Sequence, residues 1–208
     1  MSSSFRDTSP TEPAAAYLER WLEELIATPG MTGIDDLESA RRSLLDDALR
    51  AEPLVAQVAG AVVDVGSGGG TPGVPLAVAL PERSFTLLEA ERRKSEFLER
   101  VTATLANVRV VWGRAEEQST DSYGVALAKA LAKPPVAAEL CLPLVASDGI
   151  AVLWLGESAD LDAVAKVAEK LNARLESDLE GLVVLRKLGP TPSGYPRRPG
   201  IAKKRPLA

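Results

Sequence analysis

Residues 61–73, Ala-Val-Val-Asp-Val-Gly-Ser-Gly-Gly-Gly-Thr-Pro-Gly, carry an apolar run into a carboxylate and then into a loop almost without side chains. A short β-branched run that stops at glycines predicts a buried strand with a sharp turn at its carboxyl end. Without Cβ atoms at Gly66, Gly68, Gly69 and Gly70 the backbone can take positive φ angles and lie against a ligand at contact distance. The segment therefore predicts a nucleotide-like ligand at the end of the first strand of an α/β sheet.

Two readings compete for that ligand. Gly66-x-Gly68-x-Gly70 fits an S-adenosylmethionine loop, whereas Gly68-x-Gly70-x-x-Gly73 fits a dinucleotide fingerprint in a shifted register. The dinucleotide register begins too late, because Gly66 already occupies the strand end where the first glycine belongs. Asp64 also favours the first: a carboxylate there attracts the ammonium of a methionine moiety, directly or through water, and repels a pyrophosphate. Ser67 lies within the same loop. Glu89 ends the next apolar run, 23 positions after Gly66, where a carboxylate accepts hydrogen bonds from ribose hydroxyls. The alternative for Glu89 is a solvated strand-end acid. Gly113-Arg-Ala-Glu-Glu follows the third run and places Ala115 and Glu116 near an adenine.

Outward from residue 61, short apolar runs alternate with amphipathic stretches. Strands are predicted at 61–65, 84–89, 108–112, 123–128, 149–155, 175–178 and 181–187, and helices at 72–80, 91–105, 134–145 and 159–173. The last two strands read as an edge hairpin, and the whole as an α/β, doubly wound, seven-stranded sheet. Upstream, Thr11-Glu-Pro opens a helix that Thr28-Pro-Gly ends, and a second helix runs from about Asp36 to Arg50 with Leu37, Leu44, Leu45 and Ala48 on one side. The expected organisation is a disordered start at 1–10, a helical cap at 11–58, a ligand-binding domain at 59–190 and a basic arm at 191–208.

The 208 residues are 46 % hydrophobic, enough for a buried core, and no stretch has the apolar length of a membrane span. The start, Met-Ser-Ser-Ser-Phe-Arg-Asp-Thr, lacks a signal-peptide core, so a soluble cytoplasmic protein is expected. A lone Cys141 and no histidine leave little to build a metal site with, and none is expected. Cys141 sits in an apolar helical context and reads as buried and inert. Net charge is −5, but seven of the 24 cations and no acid fall within 186–208, leaving 17 cations against 29 acids, a net −12, before that point. Such a tail either meets phosphate backbones or merely solvates a terminus. Lys129 and Lys133 follow the fourth strand, where a cation could hold a phosphate or an acceptor base, and Arg92, Arg93 and Lys94 open a helix against its dipole. Trp21, Trp112 and Trp154 lie in apolar periodic segments and read as core or edge packing.

Asp64-Val-Gly-Ser-Gly-Gly-Gly-Thr-Pro-Gly-Val-Pro-Leu-Ala, Gly113-Arg-Ala-Glu-Glu and Tyr195-Pro-Arg-Arg-Pro-Gly-Ile-Ala-Lys-Lys-Arg-Pro-Leu together resemble the RsmG (GidB) family over about residues 15–207. The resemblance implies a class I methyltransferase-type fold with an N-terminal helical cap and methyl transfer from S-adenosylmethionine to guanine N7 in small-subunit (16S) ribosomal RNA. It implies that Gly66, Gly68, Gly70 and Glu89 hold the cofactor, and that the tail, with Arg197, Arg198, Lys203, Lys204 and Arg205, faces RNA. A monomer is expected, with Lys129 as the candidate catalytic cation. The chain departs from the family pattern at Arg42-Ser-Leu-Leu-Asp-Asp47, where Arg-His-x-x-Asp-Ser is usual, at Ala128-Lys-Ala130 in place of Ala-Arg-Ala, and at Trp154-Leu-Gly156, where a lysine is missing. Two other classes stay open: a small-molecule methyltransferase, and a non-catalytic RNA-binding or assembly protein derived from the enzyme.

Overall fold

The computed structural model describes residues 13–156, 158–179 and 181–208. The proposed helix cap Thr11 and the start at 1–10 lie outside them. Seven strands form one sheet in the order β3-β2-β1-β4-β5-β7-β6. They are β1 (Val62–Val65), β2 (Phe85–Glu89), β3 (Val108–Trp112), β4 (Tyr123–Lys129), β5 (Val145–Trp154), β6 (Ala173–Leu179) and β7 (Leu182–Lys187). The first five run parallel, and β7 is antiparallel to β5 and to β6, which makes the expected edge hairpin. All four residues of β1 are buried, as a central parallel strand covered on both faces requires.

Successive residues of β1 feed opposite layers. Val63 and Val65 join Ala126, Ala128, Ala151 and Leu153 beneath α7 (Pro134–Cys141) and α8 (Leu161–Lys170). Val62 packs on the other face with Leu76 and Ala77 of α5 (Gly73–Ala79) and Val55 of α4 (Glu52–Ala56). There, α1 (Ala14–Ala27) lays Tyr17, Trp21, Leu22 and Leu25 on α5, β2 and α6 (Arg92–Val101). Asp160 caps α8 by accepting from Ala163 N at 2.9 Å.

Several elements differ from their expected bounds. The second N-terminal helix is split into α2 (Leu37–Ala40), a π-helical turn at Arg41–Asp46 and α3 (Asp47–Leu49), with Asp36 capping its start through Ser39 N at 2.8 Å. Leu37 is exposed, while Leu45 and Ala48 are buried. The predicted helix 91–105 stops at Val101, where Thr102 bonds back to Leu98 O. The predicted helix 134–145 ends at Cys141, because Pro143 forces a 310 turn and β5 then starts at Val145. Helix α4 was not anticipated from the sequence. Beyond β7 the chain does not extend away as an arm: it returns across the molecule to α9 (Ile201–Lys204). The return starts at Lys187, fully buried, which donates to Leu142 O at 2.9 Å, Thr191 Oγ1 at 2.8 Å and Asp121 Oδ1 at 3.2 Å.

Candidate active site

The glycine loop is held from three sides. Gly66 N and Ser67 N donate to Leu88 O at 2.7 and 3.2 Å, tying the loop to β2. Trp21 Nε1 donates to Gly69 O at 3.0 Å, and Thr71 Oγ1 to Leu44 O at 2.7 Å, which ties it to the N-terminal helices. Gly68 N donates to Glu89 Oε2 at 2.8 Å, while Glu91 N holds the other carboxylate oxygen at 2.8 Å. Gly66, Gly68 and Gly70 have φ of 73°, 56° and 107°, values that side chains resist.

A cavity of about 440 Å³ opens along this loop, outside the carboxyl ends of the parallel strands. The loop, from Gly66 to Gly69, makes one wall, and Glu89 with Lys94 makes the next. Gly113–Glu116 closes the β3 side, Lys129–Leu131 the β4 side, and Gly200, Ala202 and Lys203 of the tail complete the enclosure. A Cβ on Gly68 would meet nothing of the protein closer than Gly66 O at 3.9 Å, so the bare backbone of that residue faces open space. Among the described residues, no three His, Cys, Asp or Glu side chains converge in a way that could hold a metal, and no helix is long and apolar enough to cross a membrane.

A model of the GidB family, described as rRNA small subunit methyltransferase G, matches residues 12–179. The chain belongs to the GidB family. Ribosomal RNA small subunit methyltransferase G of Pelotomaculum thermopropionicum is 38 % identical over 82 % of this chain and 79 % of its own. The protein of the same name from Rubrobacter xylanophilus is 40 % identical over 79 % and 71 %. Among solved structures, a TehB-like SAM-dependent methyltransferase from Corynebacterium glutamicum covers 84 % of this chain and 97 % of its own at a TM-score of 0.55 and 16 % identity, which shows the shared fold.

Of the residues expected to hold a cofactor, Gly66, Ser67, Gly68, Glu89, Ala115 and Glu116 line this cavity. Asp64 and Gly70 do not. Asp64 is 1 % exposed beneath the loop, where Oδ2 accepts from Gly73 N at 3.1 Å and Oδ1 has no hydrogen-bond partner among the described residues. Burial lifts its pKa to about 7. Gly70 turns inward, since a Cβ there would meet Val74 at 2.7 Å and Trp21 Nε1 at 3.2 Å. Both therefore shape the loop from below, and Asp64, expected to meet a ligand ammonium directly or through water, does not itself line the cavity.

Lys129 reaches the cavity rim but is not a free cation: Nζ is paired with Asp47 and donates to Ser43 O at 2.8 Å. Trp154 Nε1 donates to Asp47 O at 3.1 Å. The three departures from the family pattern thus meet at one place, with Asp47 at its centre. Lys133 is exposed at the start of α7. Trp21 packs as expected, and Trp154 is half-buried, but Trp112 is 60 % exposed, its ring under the Arg92 guanidinium and its Nε1 on Ala90 O. Its apolar neighbours in sequence belong to an edge strand, which leaves the last ring uncovered. Cys141 is fully buried, and burial pushes its thiol pKa far up.

The tail differs most from expectation. Arg197 forms a fork with Glu139 of α7, at 2.6 Å to each oxygen, and donates to Arg205 O at 2.9 Å. Gly200 N donates to Glu116 Oε1 at 2.9 Å, and Leu207 O accepts from Lys170 at 2.7 Å. Arg197 is thus a structural clamp, whereas Arg198, Lys203, Lys204 and Arg205 are exposed, with no ion pair among the described residues. The sequence reading missed Gly200 and Ala202 as cavity walls and Glu139 as the clamp's anchor. An acid inside Ala137-Ala-Glu-Leu-Cys, an otherwise apolar helix, was the available signal, because a buried carboxylate demands a cation.

Proposed function

We propose that the chain transfers a methyl group from S-adenosylmethionine to N7 of a guanine in small-subunit (16S) ribosomal RNA, as a monomer in the cytoplasm. The observation that carries this reading is the glycine loop, bent open along a cavity at the carboxyl edge of the sheet with Glu89 opposite, in a chain of the GidB family. The fit to the cofactor rests on the cradle itself: backbone at positive φ, open space above Gly68, and a strand-end carboxylate for vicinal hydroxyls. When bound, S-adenosylmethionine supplies the electrophilic sulfonium methyl.

The chain's own residues would then act by binding and alignment. Gly66–Gly68 and Glu89 hold the cofactor's nucleoside part, and Ala115 and Glu116 flank its adenine. Guanine N7 has a lone pair at neutral pH, so no general base is needed, which suits a chain without histidine. Catalysis is then proximity and orientation, with cations fixing the strand by its phosphates. Exposed Arg198, Lys203, Lys204 and Arg205 suit that task, and Lys203 lies at the cavity itself. Lys129 would orient the acceptor from the rim while held by Asp47.

A second reading, RNA binding without transfer, is favoured by that same ion pair, which spends the charge of Lys129. Incubation with labelled S-adenosylmethionine and small-subunit RNA lacking the modification separates them. Label at N7 of one guanine supports the enzyme. Cofactor and RNA binding without label supports the second reading.

A further inference from the structure

The connection from β3 to β4 breaks the pattern of the sheet. The crossovers β1–β2, β2–β3 and β4–β5 carry α5, α6 and α7, but residues 113–122 hold only a 310 turn at Ala115–Glu117. Among the described residues no helix therefore covers the start of β3, β2 and β1 on the α7 side, and a groove of about 660 Å³ opens there. Its floor is a row of side chains across the sheet. Arg109 of β3 donates through Nε to Thr86 Oγ1 of β2, its partner in register, at 2.9 Å, and through Nη2 to Tyr123 Oη of β4 at 3.0 Å. Strand β1 lies between β2 and β4, and next to it only Ala61 enters the groove.

The chemistry of this row is one-sided. Arg109 is exposed and, among the described residues, it has no carboxylate partner and no Asp or Glu lines the groove, although the chain carries a net −5. Thr86 and Tyr123 use their oxygens as acceptors for Arg109, so their hydroxyl hydrogens are left to donate, and Ser84 and Ser119 stand on the walls. A guanidinium in a rigid frame of hydroxyl donors matches a phosphate, which offers several acceptor oxygens to a planar fork.

We propose that this groove binds a backbone phosphate of the RNA substrate. The loop after β3 joins the two sites: Gly113–Glu116 lines the cofactor cavity, and Gln118, Ser119 and Ser122 line the groove. From Gly113 to Arg109 β3 covers about 13 Å, so an RNA chain that runs from the cavity back along β3 brings a flanking phosphate over Arg109. The inference rests on the RNA reading given above.

The test titrates the full chain and the variants Arg109→Met, Arg109→Lys and Ser119→Glu with a small-subunit RNA fragment at several salt concentrations, and each with S-adenosylmethionine. Arg109→Met and Ser119→Glu should lose roughly five- to tenfold in RNA affinity, and Arg109→Met should flatten the slope of log affinity against log salt by about 0.7–0.9. Arg109→Lys should keep that slope, and cofactor affinity should not move. Ser119 is exposed and is not a partner of Arg109, so Ser119→Glu adds a negative charge to the groove without removing the guanidinium and reads out even where Arg109→Met fails to fold. Unchanged RNA affinity and slope in Arg109→Met and Ser119→Glu overturn the groove alone. Saturable binding of inorganic phosphate lost in Arg109→Met, with RNA binding intact, overturns it in favour of a small anion. Absence of RNA binding by the unaltered chain overturns the function and the groove together.

Discussion

At the scale of single residues, Asp64 shows how the loop is set from beneath. Its carboxyl is buried with one amide donor, and burial raises its pKa from 3.8 to about 7. Between about pH 4 and 7 the folded chain holds a proton that the unfolded chain releases, so this group's contribution to stability is complete below pH 4 and is lost as pH rises to 7. Asp64→Asn, which cannot ionise, should therefore gain on the unaltered chain across that window and level off above it, by up to about 4 kcal/mol. Melting temperature against pH for both proteins checks this; a difference that stays constant with pH counts against it. Gly70→Ala should destabilise by roughly 1–3 kcal/mol, because φ is 107° and the added carbon would press on Val74 and on the Trp21 nitrogen that pins Gly69. Chemical denaturation measures that loss, and a neutral result would show that the loop is not braced from that side.

At the scale of elements, the contact between the π-helical turn and the end of β4 decides how the N-terminal helices close the cavity. Lys129 and Asp47 are partly buried there, and Trp154 holds the Asp47 carbonyl. A double-mutant cycle of Lys129→Met and Asp47→Ala should give a coupling energy of about 1–2 kcal/mol; additive effects would mean that the pair does not join the layers. None of this was legible in the sequence, where Ser43, Asp47, Lys129 and Trp154 read as separate departures from a pattern, because pairing across 82 positions is a tertiary fact. What was legible was the sheet: runs such as 61–65 and 123–128 carry their burial in their composition, and the glycines that follow 65 cannot continue a strand. Element ends were read less well, as at Pro143, where the residue that stops α7 lies inside an apolar run that could serve a helix or a strand.

At the scale of the molecule, the tail docks along one wall of the cavity. The sequence showed its charge and suggested an RNA arm, and on that reading its removal should weaken RNA binding far more than cofactor binding. The docked tail changes the expectation, since Gly200, Ala202 and Lys203 wall the cavity beside the glycine loop while Arg198, Lys204 and Arg205 are exposed. Deleting 196–208 should lower affinity for both ligands. Arg197→Met should reproduce the cofactor loss with the exposed cations retained, and should cost about 3 kcal/mol by leaving the Glu139 carboxylate buried without its partner. Calorimetry with each ligand decides: an Arg197→Met chain that binds the cofactor as well as before would show that the tail is no part of that site.

The central claim is that the glycine loop and Glu89 grip S-adenosylmethionine, and direct titration of the purified chain with that cofactor tests it. One equivalent should bind, with affinity lost in Glu89→Ala, and a nicotinamide dinucleotide should give no heat. No binding of S-adenosylmethionine, or saturation by the dinucleotide instead, would contradict it.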